Sequence, residues 1–431
     1  MAYCTKTDLR NQVIYSIYVR NYSEEGTFLE VEKDLDRIKG LGVDIIWFLP
    51  IYPIGQEKRK GILGSPYAIA DYRKVNPELG TMDDFKHLVE GIRTRGMRVM
   101  LDIVYNHTSP DSWLAKNHPE YFYKTPEGEM GNRVGDWGDI VDLDYGNKEL
   151  WDYQIDTLKM WAGIVDGFRC DVAPLVSLAF WLKAREEVAR VNPECIWLSE
   201  SVEPEFIVDM RAKGMTNLSD SEIFQAFDMC YDYDIFKYFR QYLNGEGTLG
   251  RYVEAVNMQE YIYPANYVKM RYLENHDQDR AKEIIPKESA LRNWTAFLYF
   301  QKGATLLYAG QEFENDHLPS LFEKEPIDRA SGKDLTPLLK KLAGIKRLLG
   351  TQDYFRAEAN DEQNIAVMQR AGAAGRFVGV FSLQAKSAGV CVPAADGTYE
   401  NLLDGSAVTV KAGCIHCDGA PVIFRAPERE G

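Results

Sequence analysis

At 431 residues the chain is longer than one ordinary domain, and its 45% hydrophobic and 27% charged residues are those of a folded globular protein. Its 65 acidic side chains outnumber 50 basic ones for a net charge of −15, with no Lys/Arg cluster that could track phosphates, so a neutral ligand is expected and nucleic acid and anionic lipid are not. No apolar run reaches the ~18 residues of a membrane span, the start MAYCTKTDLRNQ has no leader pattern, and seven scattered cysteines suit reduced thiols, so a cytoplasmic protein is expected.

Taken in chain order, β-branched apolar runs alternate with helical patterns. VIYSIYV from Val13 and VDIIWFLPI from Val43 read as the first two strands. TMDDFKHLVEGIRTRG then reads as a helix: Thr81 can N-cap, Asp84 sits at the capping-box position, and Phe85, Leu88, Val89 and Ile92 form its apolar stripe. RVMLDIVYNH from Arg98 is the third strand, and the following stretch, rich in Pro, Gly, Asp and Trp, reads as an insertion. IVDGFRCDV from Ile164, CIWLSE from Cys195, a weaker IFQAFDM from Ile223, VKMRYLENHD from Val268 and ATLLYAG from Ala304 complete a set of eight.

Eight alternating units predict an α/β fold, a (β/α)8 TIM barrel with an insertion after strand 3. A doubly wound sheet is the alternative, but it would want a glycine-rich phosphate loop after the first strand, and none follows Val19. After the helix DLTPLLKKLAGIKRLLG, the short runs IAVMQR, FVGVFSL, GVCVP, AVTV and PVIFR predict a C-terminal antiparallel β domain. The expected division is a barrel from 1–107 and 151–350, an inserted subdomain at 108–150, and a C-terminal β-sandwich at 351–431. Cys414-Ile-His-Cys417 lies in this tail without a second CxxC, which favours two packed thiols over zinc or redox chemistry.

In such a barrel the chemistry sits at the C-terminal strand ends. The third strand there ends in Asp102, Asn106 and His107, the fourth in Arg169 and Asp171, the fifth in Glu200, and the seventh in His276 and Asp277. One such residue has an innocent explanation as a helix cap or a buried ion pair; four strand ends together imply a cleft with acid–base and nucleophilic work to do. Residues two apart in a strand point to the same side, so Arg169 and Asp171 can meet. A guanidinium there disfavours a metal, and it is expected to lower the Asp171 pKa and keep that carboxylate nucleophilic. Glu200 has no cation adjacent in sequence and is expected to stay protonated. One ionised and one protonated carboxyl is the requirement for retaining glycoside cleavage.

DIVYNH, GFRCDVA, WLSES and ENHDQDR, in that order and on those strand ends, resemble the short regions of the α-amylase family of glycoside hydrolases and transglycosylases. VDLDYGN is a weaker fifth region, and GILGSPYAIADYRKVNPELGT also resembles the family. The resemblance implies Asp171 as nucleophile, Glu200 as general acid and base, and Asp277 as transition-state stabiliser. It implies Arg169 as support for the nucleophile, hydrogen bonds to the sugar from Asp102, His107 and His276, and Tyr67 stacked upon it. It implies no required cofactor; for calcium, Asn106 is the one matching position, with Asp136, Asp139, Asp142 and Asp144 equally plausible as turn residues. Ala173-Pro174-Leu175 stands where many endo-amylases carry a Lys-His pair, which argues against endo-action on large starch. The expected activity is hydrolysis of malto-oligosaccharides. A transglycosylase on the same site, aided by Trp113 and Trp137 on the acceptor side, is the alternative, and a non-catalytic module is disfavoured because all three carboxylates are present.

Overall fold

The computed structural model describes residues 4–135, 137–351 and 354–427. Eight parallel strands close into a barrel, each beside its neighbours in sequence: β1 Val13–Ile17, β2 Ile45–Phe48, β3 Arg98–Ile103, β4 Gly167–Cys170, β5 Ile196–Ser199, β6 Met229–Tyr231, β7 Lys269–Arg271 and β8 Ala304–Tyr308. Every residue of these strands except Arg98 is buried, because the barrel interior takes one face and the surrounding helices the other. Trp161, Trp181 and Trp294 on those helices are fully covered.

Local chemistry accounts for the helix Met82–Thr94. Thr81 Oγ1 accepts from the Asp84 N–H at 3.1 Å while Asp84 Oδ2 accepts from the Thr81 N–H at 2.8 Å, and Phe85, Leu88, Val89 and Ile92 are buried.

The sixth strand is displaced from its expected position. Ile223 ends a short helix, Asp220–Ile223, that starts at a Ser219–Glu222 capping box, and Ile223 and Phe227 bury themselves one turn apart. The strand begins only at Met229, where it pairs with Leu198 of β5, while Cys230 pairs with Lys269 of β7. A strong helix start overrode a short apolar run with no strand periodicity.

After β3 the chain leaves the barrel, and His107–Thr108 pairs antiparallel with Val141–Asp142 as a small ribbon. Beyond the helix Thr336–Leu349, four strands, β9 Tyr354–Asn360, β10 Ile365–Gly372, β11 Gly375–Ser382 and β16 Val422–Ala426, form an antiparallel sheet. Two ribbons flank it: β12 Ala388–Cys391 with β15 Cys414–Cys417, and β13 Gly397–Glu400 with β14 Ala407–Val410. Ile365, Val378, Val380, Val390, Val410, Ile415 and Phe424 form its own apolar cluster. Phe381 of β11 fastens the sheet to the barrel, its ring centroid 5.8 Å from Phe297 and 5.7 Å from Phe300 on the helix Glu288–Phe300.

Candidate active site

Parallel strands deliver their C-terminal ends to one rim, and there Arg169 is the hub. Register sets Arg169 of β4 opposite Asp102 of β3, and the guanidinium is completely buried. Its Nη1 donates to Asp102 Oδ1 at 2.8 Å and to Asp171 Oδ1 at 2.9 Å, and its Nε donates to the Tyr231 hydroxyl at 3.2 Å. Its Nη2 stands 2.8 Å from Glu200 Oε1 as a charge contact without hydrogen-bond alignment. The rings of Trp47 and Tyr67 lie 5.2 and 5.7 Å from the guanidinium carbon.

This corrects the sequence reading in two respects. Glu200 does have a cation beside it, the same one that serves Asp171. Arg169 does pull Asp171 down as expected, but burial outweighs it, the Asp102 charge adds to burial, and Asp171 is pushed up to about 6. Burial pushes Glu200 further, to about 8, Arg169 opposing and the Asp171 and Asp277 charges reinforcing. Of the two, Asp171 is the stronger acid and Glu200 the group that holds its proton near neutrality. Asp102, fully buried, is pushed up to about 6 against the pull of Arg169.

Between the two carboxyls lies a backbone feature that the sequence does not announce. Val172 has φ 32° and ψ 42°, in the left-handed region that a β-branched residue rarely enters, at a cost of about 1–3 kcal/mol. That turn aims the Val172 N–H at Glu200 Oε2, 2.7 Å away.

Opposite, the Tyr67 hydroxyl lies 2.6 Å from His276 Nε2 and donates to Asp102 Oδ2 at 3.2 Å, with the Tyr67 and His276 rings stacked 5.7 Å apart. His276 Nε2 also lies 3.0 Å from Asp277 Oδ2, and its buried Nδ1 has no hydrogen-bond partner. Burial would raise Asp277, but His276 and Arg169 prevail and it sits below its ordinary range, with its side chain 39% exposed toward the cavity. Burial takes His107 down to about 4, so this imidazole is neutral at neutral pH.

Tyr67, His107, Asp171, Glu200 and Asp277 line one cavity of about 380 Å³, and Asp102, Arg169 and His276 are buried in contact with those lining residues. Trp137 joins them, tilted against His107 at 5.8 Å. Trp113 does not: it is 41% exposed and stacks on Tyr153 outside the cavity. Sequence reading missed Tyr231 and Tyr233, which belong to the displaced sixth strand and its helix. It also missed Phe206, on the helix Pro204–Ala212, and Phe322, on a loop, which line the cavity with no distinguishing pattern, and Lys60, whose Nζ meets Asp139 at 2.9 Å on the cavity wall.

Calcium, for which Asn106 is the one matching position, does not fit the residues present. Asn106 Nδ2 points to His107 Nδ1 at 3.2 Å and to Asp142 Oδ1 at 3.5 Å, and Asp142 Oδ2 accepts the Arg133 N–H at 2.7 Å with the guanidinium 3.6 Å away. Calcium takes 6–8 oxygen ligands, whereas here an amide nitrogen and a guanidinium already face the Asp142 carboxylate. Asp139 is committed to Lys60, Asp144 accepts the Gly146 N–H at 3.0 Å, and Asp136 lies outside the described residues. Among the described residues no group of three or more His, Cys, Asp or Glu side chains is arranged to hold a metal ion.

Comparison with known proteins gives two family matches. Residues 14–132 and 134–366 match the model of the alpha amylase catalytic domain, and residues 356–424 that of the bacterial alpha amylase C-terminal domain. The crystal structure of an alpha-amylase from Lactobacillus plantarum is 49% identical over 97% of this chain and 99% of that one, with a TM-score of 0.95. Alpha-amylase MalA of Haloarcula japonica is 28% identical over 390 residues, 83% of this chain and 54% of its own length. An alpha-1,4-glucan:maltose-1-phosphate maltosyltransferase of Methylacidiphilum infernorum is 30% identical over 228 residues, 47% of this chain and 34% of its own length. The chain thus spans about half or less of the curated relatives it matches.

Proposed function

This chain belongs to the α-amylase family of glycoside hydrolases, and from that premise we propose that it is a retaining α-glucan hydrolase of malto-oligosaccharides working through a covalent glycosyl-Asp171 intermediate. The observation that carries this reading is Arg169, one buried guanidinium touching both Asp171 and Glu200, carboxyls whose acidities are separated so that one is ionised while the other holds its proton. In the first displacement an Asp171 oxygen bonds to the anomeric carbon while the Glu200 proton passes to the departing glycosidic oxygen. In the second, the Glu200 carboxylate takes a proton from water, whose oxygen bonds to the same carbon and releases Asp171.

Asp277, the most acidic of the three, offers a fixed negative charge to the positive carbon of the transition state. His107 on the cavity wall, with Asp102 and the unpartnered Nδ1 of His276 buried behind it, would supply hydrogen bonds to that sugar, and Tyr67 an apolar ring beside it. The chemistry needs no metal or organic cofactor. A cytoplasmic location is supported by the odd number and scattered positions of the seven cysteines. No helix among the described residues is long and apolar enough to cross a membrane.

The test is a timed product profile from maltoheptaose with the purified protein. Shorter oligosaccharides alone support hydrolysis, and their size distribution distinguishes endo from exo action; no cleavage would refute the reading. Transglycosylation is a second reading favoured by one observation: Trp137, Phe206 and Phe322 line the cavity as apolar surfaces on which an acceptor sugar can stack in place of water. Products longer than maltoheptaose would establish it.

A further inference from the structure

The barrel chemistry leaves one sequence motif unused, Cys414-Ile-His-Cys417, which forms the whole of β15. Alternation along the strand buries Ile415 and Cys417 and turns Cys414 and His416 outward, so the two motif cysteines lie on opposite faces and cannot pair with each other. Cys417 is occupied inside, its thiol donating to the Ala420 carbonyl at 3.5 Å. The neighbour of Cys414 is Cys391, 23 positions away in sequence and directly opposite it in the antiparallel register of β12 and β15, with the two sulfurs 2.8 Å apart.

The backbone places this pair well for bonding. The adjacent Val392 N–H donates to the Gly413 carbonyl at 2.9 Å, which makes Val392 and Gly413 a hydrogen-bonded pair and Cys391 and Cys414 a non-hydrogen-bonded one. Such pairs bring Cα atoms to about 4.5 Å, inside the range of roughly 4.4–6.8 Å that a disulfide spans. Both thiols are reachable from solvent, Cys391 exposed and Cys414 partly so, whereas Cys170, Cys195, Cys230 and Cys417 are buried.

We propose that Cys391 and Cys414 are a reversible dithiol–disulfide site on the solvent-facing side of the β12–β15 ribbon, oxidised by small-molecule disulfides of the glutathione class. One cysteine loses its proton and attacks a sulfur of the oxidant; that bond forms, the oxidant's S–S bond breaks, and one small thiolate leaves. The second cysteine loses its proton and attacks the mixed disulfide, closing the cross-strand bond and releasing the second thiol. The protein gives up two protons and two electrons, and one disulfide oxidant becomes two thiols.

The experiment equilibrates the folded, full-length protein in glutathione/glutathione-disulfide buffers of rising oxidant fraction, blocks the remaining thiols, and maps peptides without reduction by mass spectrometry. The expected result is a single linked species joining Cys391 to Cys414, reversed by excess glutathione, with the buried thiols still free. Cys417→Ser should keep the link, and Cys391→Ser should leave Cys414 carrying glutathione. Both thiols surviving in pure glutathione disulfide, a Cys414–Cys417 link, or glutathione persisting on Cys414 of the unaltered protein would each overturn the proposal.

Discussion

Glu200→Gln is the substitution that most directly examines the division of labour between the two carboxyls. Asp171 must be ionised to attack, so activity rises as pH climbs through about 6; Glu200 must hold its proton, so activity falls as pH passes about 8. At pH 7 about nine-tenths of each group is in its working state, so kcat/KM should peak there and drop about tenfold by pH 5 and again by pH 9. The glutamine cannot titrate, so the alkaline limb should vanish while the acidic limb near 6 stays. Loss of proton donation should lower kcat/KM on malto-oligosaccharides by about 10²–10⁴-fold, or about 3–5 kcal/mol of barrier. The assay is initial-rate hydrolysis of maltotriose from pH 4.5 to 9.5, paired with α-maltosyl fluoride, whose leaving group needs no proton and should therefore lose far less. An alkaline limb that survives in the Gln variant, or a flat profile in the parent enzyme, would refute the reasoning.

Further outcomes follow from the same site. Asp171→Asn should lose several orders of magnitude in turnover with an unchanged circular dichroism spectrum, since no other carboxylate can take its place as nucleophile. Because burial raises the folded Glu200 pKa above its unfolded value, its stabilising contribution exists at low pH and is lost as pH rises through about 8. Glu200→Gln should therefore unfold at a higher temperature than the parent at pH 9, by up to about 5 kcal/mol of stability, with little difference at pH 5; an equal gain at both pH values would contradict this. Val172→Gly removes a left-handed β-branched residue and should spare about 1 kcal/mol of backbone strain, yet lower kcat by loosening the N–H held on Glu200; urea titration and steady-state kinetics check the two halves. With Arg133 and Asn106 already facing Asp142, excess EDTA should leave both the thermal midpoint and the rate unchanged, whereas a drop of several degrees restored by calcium would show that a metal binds after all.

The sequence by itself determined the periodic and local features: alternation of eight strands with helices, the Thr81–Asp84 capping box, and polar residues at strand ends. Arg169 and Asp171 were legible because a strand's period of two places them on one side, and because charge in an otherwise apolar run demands a reason. Only the tertiary structure decided what depends on residues far apart in the chain. It brought Glu200 to the same guanidinium as Asp171, moved the sixth strand to Met229, and carried Trp113 away from the cavity that Trp137 lines. It likewise gave Cys414 a partner in Cys391 rather than in the motif. The acidities show the reason most plainly: a neighbouring Arg can be read from spacing, but the water removed from Asp171 and Glu200 is set by every element packed around them, and that removal outweighs the Arg.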